Sequence, residues 1–268
     1  LLTITSPILS QNTGSNQLFE YADTNSMVLN IYANGNYGSS IFNNEFIDIF
    51  RFGGFIDNEM KAGALSNSKR INYFGGEGSF GVSFSDPIHK LFGDWGYYVA
   101  ISSNTSGAVQ FTDDLYELAF YGNKSNAGDT SFISQTGFHS RSFKKFGAGI
   151  DNNKLKIGFS FLSFSNYSQG LVQSGYTFTD SLGSNISLDV NGSQIESNNV
   201  LKHVGSGFSL DFEYRLSQEL IAKDGSHSKE TTIIIGVKNI GIYASRKNSV
   251  LTAVDTTFHY SGFDVSSI

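Results

Sequence analysis

At 268 residues the chain is long enough to bury a sizeable core as one domain, and barrels of that length commonly do not split. A net charge of -6 with no lysine or arginine cluster beyond pairs such as Lys144–Lys145 excludes a nucleic-acid surface. Zero cysteines exclude a disulfide framework and any thiolate nucleophile or metal site.

The amino end, LLTITSPILSQN, reads as the tail of a secretory signal peptide covering residues 1–11, with a single β-barrel domain over 12–268. In SMVLNIYAN, Met27, Leu29, Ile31 and Ala33 share a face, which predicts a strand over 26–34. The period then changes. Phe46, Ile49 and Phe50 recur at helical spacing behind Asn43 and Asn44, predicting a helix over 44–52 that ends at Gly53–Gly54, and a second over 57–65. Alternation returns from Ile71 to Ser85, where Phe80, Val82 and Phe84 oppose Ser79, Gly81 and Ser83, and Asp86–Pro87 breaks it. Tyr97, Val99 and Ile101 line the next strand opposite the small Gly96 and Ala100, with Tyr98 interrupting, so either side can face lipid.

FTDDLYELAFYGN places Leu115, Leu118 and Ala119 at helical spacing and predicts a helix over 113–121, capped by Asp113 or Asp114 and ended by Gly122. It is the candidate plug or docking helix, through Asp113, Asp114, Leu115, Leu118, Phe120 and Tyr121. Strands are predicted at 130–141, 143–151, 154–165, 169–179, 185–191, 200–216, 229–244 and 250–261. Asp151-Asn152-Asn153 reads as a tight reversal and SQELIAKDGSHSK as a longer loop.

The most informative stretch is GFSLDFEYR, residues 207–215. Phe208, Leu210, Phe212 and Tyr214 fall on one face of a strand, and Ser209, Asp211, Glu213 and Arg215 on the other. Such a segment separates an apolar medium from a wet one. Its length suits a tilted transmembrane strand, for which about 9–11 residues suffice. Aromatic residues at 14%, charged residues at 16%, 29 glycines and two prolines fit long strands in a wall of this kind. No run approaches the roughly 18 apolar residues of a membrane helix, a test that alternating barrel strands evade.

Motifs for chemistry are absent. The five histidines, His89, His139, His203, His227 and His259, show no paired ligand spacing, so no metal site and no cofactor is expected. Asp113 and Asp114 diverge by about 100 degrees on a helix and do not converge on one atom. FGGEGSFG lacks the Lys-Ser/Thr pair of a phosphate loop, and no nucleophile elbow occurs. The Asn-X-Ser/Thr triplets at Asn104, Asn123, Asn166, Asn185 and Asn191 mark loops in a eukaryotic secreted protein and carry no meaning in a bacterial one.

The segments FTDDLYELAFYGN, RFGGFIDNEMKAG, GVKNIG (Gly236 to Gly241) and VDTTFHYSGFD (Val254 to Asp264), taken in order, resemble a family of Bacteroidota outer-membrane β-barrel proteins. That family is distantly similar to fatty-acid-transporter barrels and to the shuttle barrels of the type IX secretion apparatus. The resemblance implies an exported, non-enzymatic barrel with a helical insert near its amino end and further strands after the segment like VDTTFHYSGFD. It transfers no catalytic or ligand-binding residue.

The expected fold is all-β: a transmembrane antiparallel β-barrel of about 10–14 strands, with short helices plugging or capping the lumen. The expected role is a transport or accessory component of a bacterial outer-membrane assembly, with outer-membrane lipid and other outer-membrane or secretion-system proteins as partners. A channel for small hydrophobic molecules and a soluble secreted β-sandwich binding module are the alternatives. Phe208, Leu210, Phe212 and Tyr214 are the candidate lipid-facing residues.

Overall fold

A computed structural model describes residues 27–86, 89, 91, 93–152, 154–182, 185–198, 204–221, 228–245 and 249–260. The expected signal segment at 1–11 lies outside them, as do His203 and His227. The described chain forms ten strands in one antiparallel sheet and three helices.

In order, β1 (Val28–Ser39) leads through α1 (Asn44–Phe52) and α2 (Asn58–Ser66) to β2 (Ile71–Asp86) and β3 (Gly96–Thr112). After α3 (Asp113–Tyr121) and a 3-10 turn at Asn123–Asn126 come β4 (Thr130–Phe132), β5 (Gly137–Asp151) and β6 (Leu155–Thr179). The last four are β7 (Ile186–Asn198), β8 (Gly205–Ile221), β9 (Ser228–Ser245) and β10 (Val250–Tyr260).

The register reduces this to a simple meander. The 25-residue β6 pairs with β5 on one edge, and β4 extends that edge against Tyr176–Phe178. On its other edge β8 takes Leu155–Phe164 and β7 takes Asn166–Thr179, both antiparallel to it. β7 and β8 thus behave as one strand interrupted at 199–204. β9 pairs with β8 and β10 with β7, so these two also share a single track, interrupted at 246–249. Ten strands therefore occupy seven positions, namely β1, β2, β3, β5 with β4, β6, β7 with β8, and β9 with β10. The sheet is open: β1 and the β9–β10 track are its edges, and no strand among the described residues joins them.

One end of the sheet carries the helices and the other short turns. Ser39 pairs with Phe74 and Ile71 with Thr112 at the helical end, while Asp86 pairs with Tyr97 and Asp151 with Lys156 at the turn end. The expected reversal at Asp151–Asn152 is the β5–β6 turn, where the Asn152 carboxamide oxygen accepts from the backbone N–H of Leu155 at 2.7 Å.

All three helices start at a side-chain cap, as isolated helices of this length require. Asn43 accepts from the Phe46 N–H and Asp57 from the Met60 N–H, each at 2.8 Å. The third cap corrects the sequence expectation. Thr112 accepts from the Leu115 N–H at 3.1 Å, while Asp113 and Asp114 lie inside the first turn. Asp114 instead accepts from the Phe132 N–H at 2.6 Å, tying the helix to β4.

The helices bury a small aromatic core of Ile41, Phe46, Ala64 and Tyr116, flanked by Phe42, Phe111 and Phe120. Phe42 stacks on Phe46 with ring centroids 4.4 Å apart and meets Phe74 edge-on at 5.8 Å. The Tyr116 hydroxyl donates to the Lys61 carbonyl at 3.1 Å, and burial pushes its pKa up to about 12. The packed face of α3 is thus Tyr116 with Phe120, at i and i+4, whereas Leu115 and Leu118 are half-buried, Ala119 exposed and Tyr121 38% exposed.

Several predicted strands run longer than alternation suggested. β3 continues from Ile101 to Thr112 through the polar SSNTSGAVQ, because ladders with β2 and β5 on both sides hold it. β5 is continuous across the break expected between 141 and 143, β6 across the one expected between 165 and 169, and SQELI belongs to β8 and not to a loop. Truncation of a buried helical ring tests the helical core: Phe46→Ala costs about 3–5 kcal/mol. Hydrogen exchange will show α1 to α3 losing protection while the β5–β6 ladder keeps it.

Candidate functional site

The burial of the strands is inverted relative to a water-soluble sheet. On β8, Phe208, Leu210, Phe212 and Tyr214 are between 38% and 54% exposed, while Ser209 is 1% and Glu213 6% exposed. The same holds on β6, where Ile157, Phe159 and Phe161 are exposed and Lys156, Gly158 and Ser160 are buried. On β3 the open face is Val99 and Ile101, and Tyr98 is buried, which settles the ambiguity left by its small second face.

Register carries this exposed face across the sheet. One row runs Ile31, Val82, Ile101, Phe146, Phe161, Phe208, Ile242, each residue paired with the next. The neighbouring row runs Leu29, Phe84, Val99, Ala148, Phe159, Leu210, Ile240. Between them Val82, Phe84, Val99, Ile101, Phe146 and Phe159 line a shallow apolar groove of about 430 Å³. Toward the helical end the band stops at Ser103, Lys144 and Ser163; toward the turn end it meets Tyr97 and Tyr214. On β9 it extends from Ile233 to Ile242, opposite Leu216 to Phe208 on β8, eight steps of the ladder or about 26 Å at ~3.3 Å per residue. A tilt of about 40° projects this onto ~20 Å, most of the ~25 Å height of the apolar band of membrane barrels.

The opposite face carries two neighbouring ionic clusters. Lys145 on β5 reaches Asp211 on β8 at 2.6 Å and the Asn239 side-chain oxygen on β9 at 2.7 Å. Asp151 lies 3.5 Å from Lys156 and 3.7 Å from Arg215, and Arg215 meets Glu213 at 2.9 Å. Lys238 stands 3.9 Å from the other Glu213 oxygen. Alternation alone placed Asp211, Glu213 and Arg215 toward water; the structure encloses them among each other instead.

Two local devices allow this crowding. Tyr98 lies flat across Gly149 and Gly158, where a Cβ would collide with its ring or hydroxyl, and its face receives the Lys156 ammonium 4.1 Å from the ring centre. Tyr32 lies across Gly81 in the same way and hydrogen-bonds Ser102. The second device is the irregularity between Leu210–Ile240 and Phe212–Val237, which leaves Lys238 and Asn239 against the single residue Asp211. Asn239 sits there at φ 60, a left-handed conformation that asparagine tolerates, and its N–H donates to Asp211 at 2.8 Å. The GVKNIG segment is thus a bulge that aims Lys238 and Asn239 inward.

Farther toward the helical end the same face carries Leu162, Phe164 and Val204 with Phe143 and Tyr243, the Phe164 and Tyr243 rings 4.9 Å apart. The candidate residues of α3 are elsewhere. Phe111 and Phe74, which bear on the helical core, share strand parity with Ile101 and Val82, so the helices pack at the sheet's end on the apolar face, away from the ionic one.

At the turn end Asp86, 1% exposed, accepts from the Tyr97 hydroxyl at 3.2 Å and lies 2.7 Å from His89 Nδ1. His259 meets Ser187 at 2.8 Å. Among the described residues no group of three histidine or carboxylate side chains could hold a metal ion, and no helix is long and apolar enough to cross a membrane.

No family model matches the chain, and neither a curated protein nor a solved structure does. Removing one partner of an enclosed cluster tests its weight: Lys145→Ala strands the Asp211 carboxylate and lowers unfolding free energy by about 3–5 kcal/mol. Adding Asp211→Asn, whose oxygen still accepts from Asn239, recovers most of the loss in denaturant titration.

Proposed function

We propose that the chain forms the wall of a bacterial outer-membrane β-barrel and acts as a transport or accessory component of an outer-membrane assembly, without catalysis. The observation that carries this reading is the inverted burial: seven strand positions present apolar rows outward and ion pairs inward. Contiguous apolar surface of that extent has no stable place in water, whereas lipid leaves it unstrained. Tyr97 and Tyr214 at one border and Lys144 at the other suit the two membrane–water interfaces, where aromatic rings and long amines partition.

The inner face favours the accessory role over a channel for small hydrophobic molecules. Its middle is filled by Lys145, Lys156, Arg215 and their carboxylates, which offer an apolar solute no path. A β-sandwich needs two sheets, and all ten described strands belong to one. The resemblance to outer-membrane barrels points the same way, with outer-membrane lipid and other outer-membrane or secretion-system proteins as partners.

Two lysines placed on the same face separate the lipid reading from its rivals. Phe212→Lys puts a cation inside the apolar band and costs roughly 2–4 kcal/mol of membrane stability. Ser103→Lys, at the band's border beside Lys144, leaves insertion unchanged. Heat-modifiable gel migration after folding into lipid vesicles reads both; equal defects would overturn the assignment of this face to lipid.

A further inference from the structure

We infer that the inner face at the helical end of the sheet binds an organic cation with an apolar body, through Phe132, Tyr176 and Phe178 beside Asp189. This deepens the accessory reading and rests on it only in placing that part of the wall in water, beyond the lipid band.

A backbone irregularity creates the site. On β5, Phe138 shares the outer parity of Phe146 and pairs with Gly170, so Gly170 and Val172 of β6 also face outward. In an unbroken alternation Tyr176 and Phe178 would share the face of Val172. They do not. Val172 pairs with Gly192 but Ser174 with Asn191, leaving Gln173 as an extra residue, so Gly175, Thr177 and Thr179 turn outward in their place. Side-chain surroundings agree: a Cβ on Gly175 would meet Val172 and Ile133, and Thr177 is buried with its partner Ser131, to which Asn126 donates at 2.9 Å. Tyr176 and Phe178 are thereby sent to the inner face, and with them Phe132, the β4 partner of Tyr176.

Register sets their neighbours. One inner row runs Phe132, Tyr176, Asp189, Thr257, each paired with the next, and the adjoining row runs Thr130, Phe178, Ser187, His259. Direct neighbours in such rows have Cβ atoms about 5 Å apart and diagonal ones about 7–8 Å. Asp189 therefore stands beside Tyr176 and diagonal to Phe178. The Thr257 hydroxyl donates to Asp189 at 3.1 Å and the Ser187 hydroxyl lies 2.8 Å from His259, so the polar half of the face is held in place. Its aromatic half is open, with the three rings between 42% and 59% exposed. Clustered rings exposed to water mark a binding surface.

Charge selects the ligand. β4, β7, β10 and the Asn166–Thr179 half of β6 contain Asp189, Glu196 and Asp255, and neither lysine nor arginine. Asp255, paired with Asn191, shares the inner face with Asp189, and among the described residues neither carboxylate has an ion-pair partner. An ammonium group within about 6 Å of a ring centre is attracted by the ring face while it neutralises the carboxylate beside it. An anionic ligand is repelled here, and an uncharged one gains nothing from Asp189. Farther toward the turn end the Lys145 and Lys156 clusters fill the interior, so this face captures a ligand and does not conduct it.

The test titrates benzyltrimethylammonium calorimetrically into the full chain folded in polyoxyethylene-detergent micelles, with benzyl alcohol as an uncharged counterpart and maltotriose as a saccharide. Tyr176→Ser and Asp189→Asn remove one ring and the charge, and Phe258→Ser, which pairs outward with Leu188, is the control on the opposite face. Heat-modifiable migration shows that each variant is folded, and Phe178→Ser replaces either site variant that is not. The expected result is saturable binding of the cation alone, about tenfold weaker in both site variants and unchanged in Phe258→Ser. No saturation at millimolar concentration, equal affinity for benzyl alcohol, tighter binding of maltotriose, full affinity in a folded site variant, or an equal loss in Phe258→Ser each overturns the inference. The barrel reading fails separately: a chain that binds the cation as a monomer in aqueous buffer without detergent keeps the site and sinks the barrel, whereas an inserted chain that binds no cation does the reverse.

Discussion

The structure depends on one constraint: alternation of side chains locked to hydrogen-bond register. A slip of one residue at any ladder would carry Phe159 inward and Ser160 outward, and would do the same to every strand beyond it. The rows that run unbroken from β1 to β9 exist because the ladders between them stay in phase where those rows cross. Irregularities occur beside the rows and not through them. Ser165 is the extra residue between the Phe143–Phe164 and Ser142–Asn166 pairs, beyond the polar border at Lys144 and Ser163. At Asn239 the extra residue is absorbed by a turn of the backbone that returns Val237 to the outer face opposite Phe212.

Enclosure of the inner face follows from the same geometry. A curled sheet brings side chains from separated strands together on its concave side, so charges that would each be solvated on a flat sheet must find partners. The glycines under Tyr98 and Tyr32 supply the missing volume, letting an aromatic ring lie along the wall in place of pointing into an already occupied interior. Lys156 then finds Asp151 on one side and the Tyr98 ring on another. Breaking such a set is costly because the remaining charge has no water to retreat to.

Much of this was legible in the sequence, and the failures have physical causes. The three helices appear within about a residue of their predicted bounds, since caps and helical spacing are local signals. The faces of β8 were legible for the same reason: GFSLDFEYR alternates cleanly. Tyr116 was not, because helical spacing singled out leucines, while the surface it meets, the Phe42 ring and the Lys61 carbonyl, comes from distant parts of the chain. Nor was the polar half of β3, whose strand state is imposed by neighbours on both sides. The ionic clusters were visible only as a wet face, because no local pattern says that Lys145 will meet Asp211 and Asn239. The resemblance to outer-membrane barrels supplied an environment and a role, and the rows supply the physical support for that environment.

The interrupted tracks make β6 a spine with two independent leaves. Along its first half it holds β8 and, through it, β9; along its second half it holds β7 and, through it, β10. Each leaf keeps its own ladder, so fraying that begins at the outer border of β10 has to pass back through β6 before it can disturb β9. The leaf with the greasy rows is thereby insulated from whatever the other one does beyond the polar border, and a long hairpin wall gains a joint within a single continuous strand, β6.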